Sequence, residues 1–97
     1  MRFKWDPTKA ASNIRKHGVS FDEAVTVFKD PFALIFDDKE HSEDEHREII
    51  IGISTLRRML LVCFVERIED TVRIISARSA TRTEINDYEE NARHQNP

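Results

Sequence analysis

Apolar residues follow two rhythms along this chain. Between Arg47 and Ala77 they come in runs and alternations of strand length, and on either side they recur at helical spacing. Phe3 and Trp5 alternate with Arg2, Lys4 and Asp6, predicting a short first strand. Asp6-Pro7 then marks a helix start, with Asp6 as N-cap and Pro7 where a missing N–H costs nothing. Ala10, Ile14 and Asn13 fall on one face of that helix, and Gly18 ends it. Ser20-Phe21-Asp22-Glu23 is a capping box that opens a second helix, with Ala24, Val27 and Phe28 inward and Asp30-Pro31 as the stop.

Phe32 to Phe36 predicts a strand, and Asp37 to Glu45 an exposed loop or hairpin tip. Arg47 to Ile53, Arg58 to Glu66 and Thr71 to Ala77 predict three more strands with brief connections, favouring an antiparallel meander. Met59 to Val65 is apolar throughout, as a central strand covered on both faces requires. Thr81-Arg82-Thr83-Glu84 is a second capping box, and Ile85 and Tyr88 share a face of the helix it opens. A frayed tail is expected after Arg93, chiefly over 94–97. The pattern predicts one α+β domain over residues 1–97: two N-terminal helices, an antiparallel sheet of about four strands, and a C-terminal helix.

Composition narrows the class. With 97 residues and 39% hydrophobic content there is room for one modest core. No apolar run approaches the about 18 residues of a membrane span, and the N-terminus lacks a signal-peptide core. The one cysteine, Cys63, lies inside an apolar run and reads as a core thiol, so a cytoplasmic protein is expected.

The net charge of -3 conceals a strong unevenness. Residues 1–18 set five basic groups against Asp6, a local +4, and residues 57–82 set six arginines against three acids, a local +3. Segment 37–48 carries seven acids against Lys39 and Arg47, a local -5, and reads as solvated hairpin surface. Two basic segments that met in space would make a positive face for nucleic acid; otherwise this is an ordinary mixed-charge surface.

Candidate chemistry gathers at two junctions. Arg78 ends a strand and Arg82 stands in the first turn of the helix after it, where a cation is poorly placed but free amides attract phosphate. The pair reads as a phosphate clamp or as partners for Glu84 and Asp87. His17 closes the first helix beside Lys16, where a cationic ring is electrostatically favoured, so it is either an acid–base group or a helix cap. Arg47 opens a strand amid acids that can pair with it. Trp5 offers a ring for base stacking or for the core. His41 and His46 lack the spacing of a zinc motif, so no metal and no cofactor are expected.

The pattern Phe3-x-Trp5-Asp6-x-x-Lys9-x-x-x-Asn13-x-x-Lys16-His17-Gly18-Val19-Ser20-Phe21-Asp22-Glu23-Ala24, followed by Phe28-x-Asp30-Pro31, resembles the BrnT family of bacterial type II toxins. Arg73-Ile74-Ile75-Ser76-Ala77-Arg78, Ala80-Thr81-Arg82-Thr83-Glu84 and Tyr88-Glu89 fit the same family, so the resemblance spans about residues 2–90. It implies a RelE-like fold and a metal-independent endoribonuclease that arrests translation and growth. It also implies a BrnA-type antitoxin that neutralises the toxin, with operator DNA bound only through the toxin–antitoxin complex. Family activity residues carry over to His17, Arg47, Arg78 and Arg82, with Trp5 as a contributor and Lys16 steering RNA. Many relatives have a further basic residue where this chain has Ser79. That departure keeps an alternative open: a weakly active or inactive toxin-like module working mainly with its antitoxin in operon repression.

Overall fold

Asp6 opens the first helix by accepting from the amides of Thr8 (2.8 Å) and Lys9 (3.4 Å). That helix, α1 (Pro7–His17), closes at Gly18, whose φ of +66° lies in the left-handed region glycine adopts without penalty. The computed structural model describes residues 1–42, 45–67 and 69–95. Over these the order is β1 (Arg2–Lys4), α1, α2 (Phe21–Thr26), a 3-10 turn (Val27–Lys29), β2 (Leu34–Asp37), a 3-10 turn (Lys39–His41), β3 (Arg47–Ile53), β4 (Met59–Arg67), β5 (Thr71–Ser79) and α3 (Arg82–Gln95). The last helix continues past Arg93 to Gln95. The rest of the expected frayed tail, 96–97, lies outside the described residues, as do 43, 44 and 68.

The sheet has five strands in the order β1-β5-β4-β3-β2. The meander from β2 to β5 is antiparallel as the sequence predicts, but β1 adds a parallel edge on β5, with Arg2 opposite Thr71 and Lys4 opposite Arg73. β1 leads into α1, and its partner strand arrives only at the end of the meander, a pairing that local periodicity does not encode.

One face of the sheet is dry. Ile50, Leu60, Val62, Phe64, Val72, Ile74 and Ala77 meet Val19, Phe21, Ala24 and Val27 there, and Phe28 stacks edge-on with Phe3 and Phe64 at centroid distances of 5.1 and 5.0 Å. Gly52 lets this layer close, because a Cβ there would stand 2.9 Å from Val27 Cγ1. On the opposite face α3 covers only part of the sheet, with Tyr88 over Ile51 and Leu61. The Tyr88 hydroxyl donates to Asp30 Oδ2 (2.7 Å), which also accepts from the Ile53 amide (2.9 Å) and so ties α3 to β3. Burial, followed by this bond, pushes the Tyr88 phenol upward.

Two expectations from the helices need correction. Of the face formed by Ala10, Asn13 and Ile14, Asn13 is buried (5% exposed) and Ala10 packs against the core, but Ile14 is exposed. The Asn13 amide donates to the carbonyls of Val19 (2.9 Å) and Ala77 (2.8 Å), and its oxygen accepts from the Ala77 amide (3.1 Å). It thus completes the ladder of β5 beyond the end of β1. Ser20 caps α2 as predicted, but Glu23 does not reach back to it. Its carboxylate accepts instead from Ser54 Oγ (2.7 Å) and from Arg58, and the Arg58 bonds hold it below the usual carboxylate range against the opposing effect of burial.

Candidate functional site

The face of the sheet that α3 leaves partly open carries the arginines. On β3, Arg47 precedes Ile49 and Ile51 on that face; across β4 stand Leu61, Cys63 and Val65, paired with Arg78, Ser76 and Arg73 of β5. Strict alternation along β5 would separate Arg73 from Arg78. A bulge opposite Cys63/Phe64 inserts Ile75, so Ser76 and Arg78 return to the face that Arg73 occupies. Arg2 and Lys4 of β1 are in register with Thr71 and Arg73 and extend this face to the sheet edge.

Cys63 sits near the middle. Burial pushes its thiol up, the Ser76 hydrogen bond opposes this, the Asp38 charge adds to it, and the charges of Arg78 and Arg47 pull it back. A thiol so held is protonated at neutral pH and serves as floor rather than nucleophile.

Arg78 and Arg82 flank the passage from β5 into α3. Arg78 is not free: Nη1 and Nη2 each donate to one oxygen of Glu84 at 2.8 Å, and Nη1 also donates to the Ser79 carbonyl at 3.1 Å. Glu84 in turn accepts from the Thr81 amide (2.8 Å), and Thr81 Oγ1 accepts from the Glu84 amide (3.2 Å), completing the predicted capping box. Hydrogen bonding by Arg78 holds the Glu84 carboxyl down to about 2. Arg82 is exposed and, among the described residues, makes no ion pair.

His17 and Lys16 end α1 behind the sheet, both exposed. Asn13, one turn earlier, is fixed to Ala77, and the carbonyl of Gly18 accepts from Arg58 (3.1 Å) at the start of β4. His17 therefore lies toward the end of the sheet where β5 finishes, but in the helical layer on the face opposite Arg78. Arg47 stands at the opposite end of the strands. Trp5 is not among these groups: its ring meets Phe21 edge-on at 5.9 Å in the helical layer.

The acidic segment is less of a bystander than a solvated hairpin would be. Glu45 lies between Arg67 (2.9 Å) and Arg73, bridging both guanidiniums. Asp38, whose amide donates to the Arg47 carbonyl (2.9 Å), holds the ring of His41 through Nδ1 at 3.1 Å. The Asp38 bond to the Arg47 backbone puts this carboxylate–imidazole pair beside the Arg47 end of β3. His41 is thus an acid–base candidate, although its spacing in the sequence marks it only as a failed metal ligand. His46 contacts Asp37 (3.1 Å), and Asp37, His46 and Glu48 bring ligand atoms within 4.8 Å of one another on the exposed margin of β2 and β3. The Nε atoms of Arg47 and Arg73 are buried and, among the described residues, lack a hydrogen-bond partner.

Such a face can bind a polyanion and offset charge developing on a phosphate. Among the described residues no helix is long and apolar enough to cross a membrane. No curated protein matches the chain. The family model described as the ribonuclease toxin BrnT of type II toxin–antitoxin systems matches residues 5–84. The crystal structure of the Brucella abortus ribonuclease toxin BrnT is similar at a TM-score of 0.65 and 26% identity, over 84% of this chain and 99% of that one.

Proposed function

The chain belongs to the family of BrnT ribonuclease toxins of type II toxin–antitoxin systems, and on that premise we propose a metal-independent endoribonuclease working on the arginine face of the sheet. The observation that carries this reading is that Arg47, Arg73 and Arg78 share one face of the sheet, with Arg78 and Arg82 flanking its passage into α3. Arg82 and Arg78 bind the scissile phosphate and offset its growing charge, with Arg47 contributing from the far end. Cleavage also needs a group that takes the 2′-hydroxyl proton and one that protonates the leaving oxygen. His17 takes one of these roles at the Arg78 end of the sheet, and His41, oriented by Asp38 beside Arg47, is the alternative acid–base group at the other end. Lys16 steers RNA toward the site. Growth and translation stop when RNA is cut, and a BrnA-type antitoxin neutralises the protein by binding it.

Expression without antitoxin tests this reading. Arg82→Ala and Arg78→Ala should relieve growth arrest at equal protein level, and full arrest by both would remove the arginines from the mechanism. His17→Ala beside His41→Ala identifies the acid–base group by which variant loses activity.

The bidentate closure of Arg78 by Glu84, together with Ser79 next to it, favours one second reading. In it catalysis is weak and the chain acts mainly with its antitoxin in operon repression. RNA left intact at high protein excess, while the toxin–antitoxin complex still binds operator DNA, would select it.

A further inference from the structure

A cleft of about 540 Å³ lies across β1, β5 and β4 on the arginine face, lined by Arg2, Phe3, Lys4, Arg67, Glu69, Thr71 and Arg73. Four of these side chains are cationic, and none belongs to the groups at the Arg78 end. The β4–β5 turn closes one side, with Glu69 and Asp70 both at positive φ (66° and 59°). Asp70 accepts the Arg2 amide (2.9 Å) through its carbonyl and binds the N-terminal ammonium (3.0 Å) through its carboxylate, while Glu69 pairs with Arg2 at 3.5 Å. These contacts seat β1 and leave Lys4, Arg67 and Arg73 to face an anion.

Glu45 already supplies one. Its two oxygens contact Arg67 and Arg73 separately, as two oxygens of a phosphate would. Yet Arg73 Nε stays buried without a partner among the described residues, so the carboxylate satisfies the arginines only in part.

We propose that this cleft is a second phosphate-binding subsite, which holds the RNA backbone to one side of the Arg78 end, and that Glu45 is its built-in competitor. The proposal rests on the ribonuclease reading above and deepens it. Along β4 the partners of Arg73 and Arg78 are Val65 and Leu61, four residues or about 13 Å apart, a span of more than one nucleotide. RNA entering the cleft displaces Glu45 from Arg67 and Arg73 and occupies the same donors. Affinity for RNA is thus set by competition with an acid of the chain itself.

The test is the binding of a fluorescein-labelled, fully 2′-O-methylated RNA, which keeps its phosphates but lacks free 2′-hydroxyls. Polarisation is measured at several salt concentrations for wild type, Lys4→Ala/Arg67→Ala and Glu45→Gln. The double variant should bind about tenfold more weakly, with a log–log salt slope shallower by about 0.7 for each phosphate the protein no longer neutralises. Glu45→Gln should bind several-fold more tightly, a gain that misfolding does not produce. Unchanged affinity and slope in both variants, with wild type still cleaving unmodified RNA, would overturn the subsite and leave the ribonuclease reading standing. Loss of antitoxin binding with RNA binding intact would assign the cleft to the antitoxin and also overturn the proposal. A wild type that neither binds nor cleaves RNA would overturn both readings.

Discussion

Glu84 answers to two partners, the Arg78 guanidinium and the free amides of the first turn of α3, and both favour its ionised form. Its pKa is depressed from 4.5 to about 2 on folding. The stability it adds is therefore present above about pH 4.5 and lost as pH falls toward 2, and is reduced by solvent screening of the part-exposed pair. Glu84→Gln should lower the melting temperature at pH 7 and flatten the loss of stability between pH 4.5 and 2. An unchanged acid profile would mean that the pair is solvent-screened. The capping box that seats Glu84 is legible in Thr81-x-x-Glu84, and the pairing of Arg78 with Glu84 is one of two readings the spacing leaves open. Nothing in the sequence places Glu45 between Arg67 and Arg73, because that bridge joins three parts of the chain through side chains alone. His41 escapes sequence reading for a similar reason: its partner Asp38 makes it a candidate, and its position along the chain does not.

Elements are legible where local rules dominate. Asp6-Pro7, Gly18 and Ser20 mark real helix ends, and the predicted starts and stops of β3, β4 and β5 are close to those observed. The features that escape are those that depend on distant chain. β1 pairs in parallel with β5, and the bulge at Ile75 sets which side chains of β5 share a face. Asn13 illustrates the point within α1. Helical spacing puts Ile14 inside, but the position that meets the open edge of β5 needs a donor and an acceptor, which an amide side chain supplies. Asn13→Ala should cost about 2–3 kcal/mol, since it leaves buried amide and carbonyl groups of Ala77 and the Val19 carbonyl without this partner. Chemical denaturation measures that loss. Asn13→Asp keeps the acceptor but when ionised loses both donated bonds, so it should fall between alanine and wild type in stability only at acidic pH, where a protonated carboxyl can restore one of them.

At the scale of the molecule the sheet divides labour between its faces. One is closed by α1 and α2 around an aromatic and aliphatic core, and the other is left to α3 and a field of arginines. An acidic chain can in this way gather arginines on one face, where Glu45 of the acidic 37–48 segment offsets part of their charge by bridging Arg67 and Arg73. The two basic segments are visible in the sequence; that Arg2 and Lys4 of the first meet Arg73 of the second across paired strands is not. Whether this face cuts RNA without metal is decided by cleavage of a defined RNA by antitoxin-free protein in excess chelator, beside Arg82→Ala and His17→Ala. Arg82 is the cleanest probe, since it is exposed and ion-paired to none of the described residues. A metal-free ribonuclease site at this face gives cleavage by wild type and at least a hundredfold loss with Arg82→Ala, about 3 kcal/mol of transition-state stabilisation. Equal cleavage by all three proteins would contradict it, as would activity that appears only when a divalent metal is restored.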